Sequence, residues 1–208
     1  MNNELQQFAS PAWLSEDGVR HLGCVGFRKT NEYWGGLSNM AGRYPLHVNG
    51  RTIFSAEALY QACRFPDQPN WQDEILCQRS PMAAKMSAKK DGRRESHSRA
   101  DWDHIRVDIM RWVLRVKLAL HYDRFGELLR LSGDRMIVEI SHKDRFWGAV
   151  AEADGTLRGR NQLGRLLMEL RQLLLASVSR EELTVVYPFG APNFLLRGQP
   201  IETVRATS

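Results

Sequence analysis

The alternation of apolar and polar positions is clearest in the middle of the chain. From Asp101 onward, Trp102, Ile105, Ile109, Trp112, Val113, Val116 and Leu120 recur at spacings of three and four, which predicts an amphipathic helix with a buried stripe. Leu163, Leu166, Leu167, Leu170, Leu173 and Leu174 repeat that pattern, with Asn161 placed to cap the helix they form. Leu46-His47-Val48 and Arg51-Thr52-Ile53-Phe54 flank Asn49-Gly50, a dipeptide suited to the two positive-φ positions of a type I′ turn, so a hairpin is predicted there. Ser55 then caps a helix through Glu57, Leu59, Tyr60 and Arg64, and Phe65-Pro66-Asp67 ends it. Ser80-Pro81 opens another helix. A short helix is predicted over 125–131, a short strand over 24–27 and a β-branched strand over 182–187. Together these elements predict an α+β fold, mostly α-helical, a single domain with a small β-hairpin or sheet and no βαβ alternation. Residues 1–20 are mostly polar and are expected to form a loosely attached arm, with the domain proper over 21–178 and a C-terminal extension, 179–208, packed on it.

Composition narrows this picture in a few places. Hydrophobic residues are 43% of the 208 and charged residues 25%, values of a folded globular chain rather than a disordered one. No stretch reaches the roughly 20 apolar residues of a membrane span, and Met1-Asn2-Asn3-Glu4 does not read as a signal peptide, so a cytoplasmic location is expected. The three cysteines, Cys24, Cys63 and Cys77, lack CxxC spacing; buried thiols are expected, with no disulfide framework and no zinc site. The net charge of +5 suits an anionic partner, nucleic acid or a phosphorylated small molecule alike. Lys85, Lys89, Lys90, Arg93, Arg94 and Arg99 form a basic run that reads as an exposed loop, either solvated or set against a DNA backbone.

Walker A, dinucleotide-binding GxGxxG and GxSxG patterns are all missing, and the six histidines show no ligand spacing. What remains are aromatic and polar residues in glycine-bearing loops. These are Trp34-Gly35-Gly36-Leu37-Ser38-Asn39, Asp144-Arg145-Phe146-Trp147-Gly148, and Gly159-Arg160-Asn161-Gln162-Leu163-Gly164 at a helix start, where free amides suit phosphate. The first of them, preceded by Phe27, resembles the Phe…Tyr-Gly-x-Phe-Ser-Asn-Phe opening of the NADAR (YbiA-like) family. Ser55-Ala56-Glu57-Ala58-Leu59-Tyr60-Gln61-Ala62 is similar to that family's Ser-x-Glu-His-x-x-Gln-Ala helix. Ser80-Pro81-Met82-Ala83-Ala84-Lys85-Met86, the Trp102 helix, Asp144-x-x-Trp147-Gly148 and Gly159-x-Asn161-x-Leu163-Gly164 complete the ordered pattern over about 25–176.

The resemblance implies a YbiA-like fold and an enzyme that hydrolyses N-glycosidic bonds without metal or cofactor. Phe27-Arg28-Lys29-Thr30, Trp34 to Met40 and the tail 186–201 resemble the branch that removes ADP-ribose from guanine bases. An ADP-ribose-containing substrate, DNA and a cognate DarT-type toxin are the partners it implies. Glu57 would act as acid or base, Lys29 as a desolvated nucleophile forming a ring-opened imine, and Asp144 would orient water or ribose. Trp34, Trp102 and Trp147 would stack on the base. Gly35, Gly36, Ser38, Asn39, Tyr60, Arg64, Gly148, Asn161 and Gly164 would complete the substrate site, the last two as a pyrophosphate seat. Arg64 departs from the pattern, which often has lysine there, and Ala58 replaces a frequent histidine. Two other functions compete with this one: the same chemistry on phosphorylated riboflavin precursors, and a non-catalytic module that binds ADP-ribose or DNA.

Overall fold

The computed structural model describes residues 11–177 and 179–206. The chain is α+β, with eight α-helices among the described residues and one mixed sheet accompanied by short two-stranded pairs. It gathers into two compact units, each made of two separate stretches: 1–38 with 128–172, and 39–127 with 173–208.

The first unit holds the sheet. Its strands run in the order Arg20–His21, Trp13–Leu14, Leu157–Arg158, Ala149–Ala151, Ile137–Ser141 and Val25–Phe27. Val25–Phe27 pairs in parallel with Ile137–Ser141, Val25 opposite Ile137, and Trp13–Leu14 pairs in parallel with Leu157–Arg158. Trp13, Cys24, Val138, Ala149 and Leu157 form the core of this layer. Most of these strands are two or three residues long, too short for an alternation of period two to register. The stretch expected as a loose N-terminal arm is corrected here. Residues 1–10 lie outside the described residues, but Trp13 is buried and its Nε1 donates to the Gly159 carbonyl (3.1 Å), so this part of the chain is built into the sheet.

The second unit is organised on the helix Trp102–Leu120, which buries Ile109, Val113, Leu114, Val116 and Leu118. The helix Ala56–Ala62 and the strands Leu46–Val48, Val185–Val186 and Val204–Arg205 pack against it. The hairpin pairs Leu46 with Ile53 through Val48 with Arg51, and Asn49 and Gly50 have φ of 48° and 69°, as the turn type requires. Ser55 caps its helix by accepting from the Ala58 amide at 3.1 Å. The basic run is helical, not a loop: Pro81–Ser87, a 3-10 turn at Lys90–Gly92, and Arg93–His97. Arg93 is buried in a pair with Glu74 and lies over the Trp71 ring at 4.6 Å, and Arg99 is buried on Asp101 and the Pro192 carbonyl. Those two guanidiniums are tied to the protein and do not face a DNA backbone. The strand expected over 182–187 is shortened to Val185–Val186, because Ser179 caps a helix at Arg180–Thr184. Cys24 and Cys63 are buried as expected and Cys77 is exposed; burial pushes the Cys63 thiol up to about 12. Among the described residues no helix is long and apolar enough to cross a membrane.

Candidate active site

The candidate residues fall into two sets, one in each unit. In the second unit the Ala56–Ala62 helix carries Glu57 and Tyr60. Its first turn is anchored by the Glu57 amide, which donates to the Asn39 carbonyl at 3.2 Å. Glu57 is only 6% exposed, an unusual place for a carboxylate unless it is partnered. Its partner is Gln61, one helical turn on, whose Nε2 donates to Glu57 Oε1 at 2.8 Å; Gln61 Oε1 in turn accepts from Arg94 Nη2 at 2.8 Å. Sequence reasoning missed both Gln61 and Arg94. The i, i+4 spacing of Glu57 and Gln61 puts them on one helix face and was readable, whereas Arg94 arrives from 33 positions away.

Tyr60 stacks at a tilt against Trp102, with ring centres 5.1 Å apart, and the Arg64 guanidinium lies over the same indole at 4.7 Å. Arg64 Nε also donates to Ser98 Oγ at 2.6 Å. Burial pushes the Tyr60 phenol up, and the Glu57 charge adds to it, so this hydroxyl is a neutral donor. Burial lowers Arg64, helped by the Arg94 charge, and lowers Arg94 as well. Trp102, expected to stack on a base, is 5% exposed and holds Arg64 instead. Asn39 is buried, with Nδ2 on Met110 Sδ at 2.7 Å. This unit therefore concentrates one buried carboxylate, two half-buried guanidiniums and a phenol, a combination suited to an anionic glycoside.

The first unit treats its candidates differently. Asp144 is exposed, and its Oδ1 accepts from the amides of Phe146 and Trp147, each at 2.9 Å, which shapes a turn. The amides of Arg160, Asn161, Gln162 and Leu163 donate to the carbonyls of Arg145, Gly148, Phe146 and Trp147 at 2.7–3.1 Å. That helix start was expected to seat a pyrophosphate, but its amides are consumed by the neighbouring loop. Asn161 is corrected with it. Fully buried at φ 52°, it turns its side chain to the strand, Nδ2 donating to the Ile137 carbonyl (2.8 Å) and Oδ1 accepting from the Glu139 amide (3.0 Å). A Cβ at Gly164 would collide with the Ile137 carbonyl and with the Asn161 side-chain amide, so Gly164 serves close packing. A Cβ at Gly148 would stand 2.5 Å from the Glu139 carbonyl.

The Trp34 block forms a 3-10 turn, Tyr33–Leu37, rather than an open loop. A Cβ at Gly35 would stand 2.5 Å from the Lys29 carbonyl, and Gly36 and Ser38 are buried beside it. Lys29 is exposed, so the desolvation expected of a nucleophilic amine is not provided. Trp34 and Trp147 are half-buried; Arg135 lies over Trp34 at 5.2 Å, and Phe146 meets Trp147 edge-on at 5.1 Å. Among the described residues no group of three or more His, Cys, Asp or Glu is placed to hold a metal ion.

Comparison with known proteins bears on this arrangement. The NADAR domain matches residues 26–175, a span that contains every candidate named above. The N-glycosidase YbiA of Shigella flexneri serotype 5b is 34% identical over 150 residues, covering 72% of this chain and 88% of that protein. A riboflavin biosynthesis protein of Vibrio vulnificus is also 34% identical, over 71% of this chain and 38% of its own length. The NMR structure of the E. coli protein YbiA superposes with a TM-score of 0.60 at 30% identity, covering 82% of this chain and 90% of that one. With a family match over well more than half its length and a relative of this similarity, the chain belongs to the NADAR domain family.

Proposed function

We propose that this chain is an N-glycosidic bond hydrolase that removes ADP-ribose from ADP-ribosylated guanine bases, with DNA as the carrier, as antitoxin to a DarT-type transferase. The observation that carries the reaction class is the buried Glu57 carboxylate, fixed by Gln61 and flanked by Arg94. Cleaving an N-glycosidic bond builds positive charge at the anomeric carbon while the leaving base takes up a proton. A carboxylate kept out of bulk water and held in one orientation serves both needs, and Arg64 and Arg94 suit the phosphates of the same substrate. Water supplies hydroxide to the anomeric carbon and a proton to the base, and Glu57 relays that proton. The guanine substrate is supported by the opening block Phe27 to Met40.

The experiment is incubation of the protein and of Glu57→Gln with guanine-ADP-ribosylated DNA. Free ADP-ribose is expected from the wild type alone. Equal release by Glu57→Gln would remove Glu57 from its role, and binding without release by the wild type would make the protein a non-catalytic module. A second reading, hydrolysis of phosphorylated riboflavin-pathway intermediates, is favoured by the Vibrio vulnificus relative, a riboflavin biosynthesis protein. Consumption of those intermediates, with modified DNA left intact, would select it.

A further inference from the structure

We propose that an arginine-walled cavity in the first unit binds the phosphodiester backbone of a DNA strand. The cavity measures about 610 Å³ and is lined by Arg145, Arg158, Arg160 and Phe146 together with the segment from Leu14 to Glu16. At the helix start beside it the amides of Arg160, Asn161, Gln162 and Leu163 are taken by neighbouring carbonyls, so anion recognition here falls to side chains.

The guanidiniums converge on two carboxylates. Arg145 Nη1 donates to Glu152 Oε1 at 2.8 Å and to the Arg158 carbonyl at 3.2 Å, Arg158 Nε lies 3.9 Å from the same Glu152 oxygen, and Arg160 Nε donates to Glu16 at 2.9 Å. Three positive groups against two negative ones leave one positive charge in excess. The three arginine side chains are 49–59% exposed, so their present pairs are solvent-screened and readily exchanged. Phosphate oxygens offer the same guanidiniums the two-pronged geometry they bind best. The Phe146 ring, half-buried and 5.8 Å from the Arg160 guanidinium, supplies a face for a base of the same strand. A wet, half-exposed wall of this kind suits a chain of phosphates laid across it better than one small anion enclosed by it.

Of the lining, Leu14 to Glu16 precede the matched residues 26–175, and Arg145, Phe146, Arg158, Gly159 and Arg160 lie within them. The purpose of the site rests on the DNA substrate proposed above, but its test needs no turnover.

Binding of a fluorescein-labelled, unmodified DNA oligonucleotide is followed by anisotropy across a salt series for the wild type and for Arg145→Ala/Arg160→Ala. The variant is expected to bind roughly 10-fold or more weakly, with its salt slope reduced by about one to two. Unchanged affinity and slope in a folded variant would overturn the proposal. Phe146→Leu is the second probe: a loss of affinity at unchanged slope is expected, and no loss in either variant counts against the site. Pyrophosphate is the competing arm. If it displaces the oligonucleotide as well, per phosphate, as a second DNA strand does, the cavity is a small-anion subsite and the strand proposal fails. Wild-type protein that binds the oligonucleotide through this cavity yet leaves ADP-ribosylated DNA intact would sink the proposed reaction and keep this site.

Discussion

The two units use polar residues in opposite ways. In the first, the polar groups that look most like chemistry in the sequence are tied up by the backbone: Asp144 holds a turn, Asn161 links a helix start to a strand, and four amides at that start are taken by loop carbonyls. In the second, charge is kept in the interior on side chains that bond to one another, as in the chain from Glu57 to Gln61 to Arg94. A side chain that saturates backbone groups costs stability when lost. One whose partners are other side chains stays available for reaction, and its loss costs activity. The contrast sorts the candidates by expected phenotype.

The largest expected effect tests the second unit. Glu57→Gln should lower kcat by about 10²–10⁴-fold, roughly 3–5 kcal/mol of barrier, with a melting temperature close to wild type. A large loss of stability without a loss of specific activity would erase the distinction. Next come substitutions in the first unit, expected to do the reverse. Asn161→Ala removes two buried hydrogen bonds and should cost about 2–4 kcal/mol in denaturant unfolding, and Gly164→Ala should cost about 3 kcal/mol by overpacking. Whatever protein folds should keep its kcat per folded molecule.

Lys117 sharpens the comparison at intermediate size. It is fully buried in the second unit, its Nζ 4.5 Å from the Tyr44 ring and 4.2 Å from that of Phe125, and burial holds it down to about 7 from its ordinary 10.5. Between those values the unfolded chain binds a proton that the folded one does not, so stability should rise with pH from about 7 to about 10 and flatten below 7. Lys117→Met should remove that slope and stabilise the protein at neutral pH by about 1–4 kcal/mol, measured as the wild-type-minus-variant difference across pH. An identical pH profile in both would show that Lys117 stays charged. The smallest effect is expected of Asp144→Ala, about 1 kcal/mol of stability and little change in kcat. A fall of more than 10-fold in kcat would return Asp144 to the chemistry.

Much of the fold could be read from the chain because its signals are local. The period of the Trp102 stripe, the Asn49-Gly50 turn and the Ser55 and Ser80 caps each depend on a few neighbouring residues, and each appears where expected. The mixed sheet was not legible, since strands of two or three residues carry little pattern of their own and its two outer parallel pairings join positions more than a hundred apart. Candidate site residues divide in the same way. Glu57 and its helix were visible, and Gln61, though missed, was readable from its place one turn on. The basic run, by contrast, carries no mark in its sequence of which guanidiniums turn inward.

By itself, then, the sequence determined the family pattern, the helices and turns, and the carboxylate at position 57. Tertiary structure alone decided that Asn161 and Gly164 are packing residues, that Arg94 completes the bonded chain from Glu57, and that Lys117 lies in the core. Local propensity and periodicity follow from the neighbours a residue has along the chain. Burial, hydrogen-bond partners and the charge a group meets follow from the neighbours folding brings to it, and chemistry depends on those.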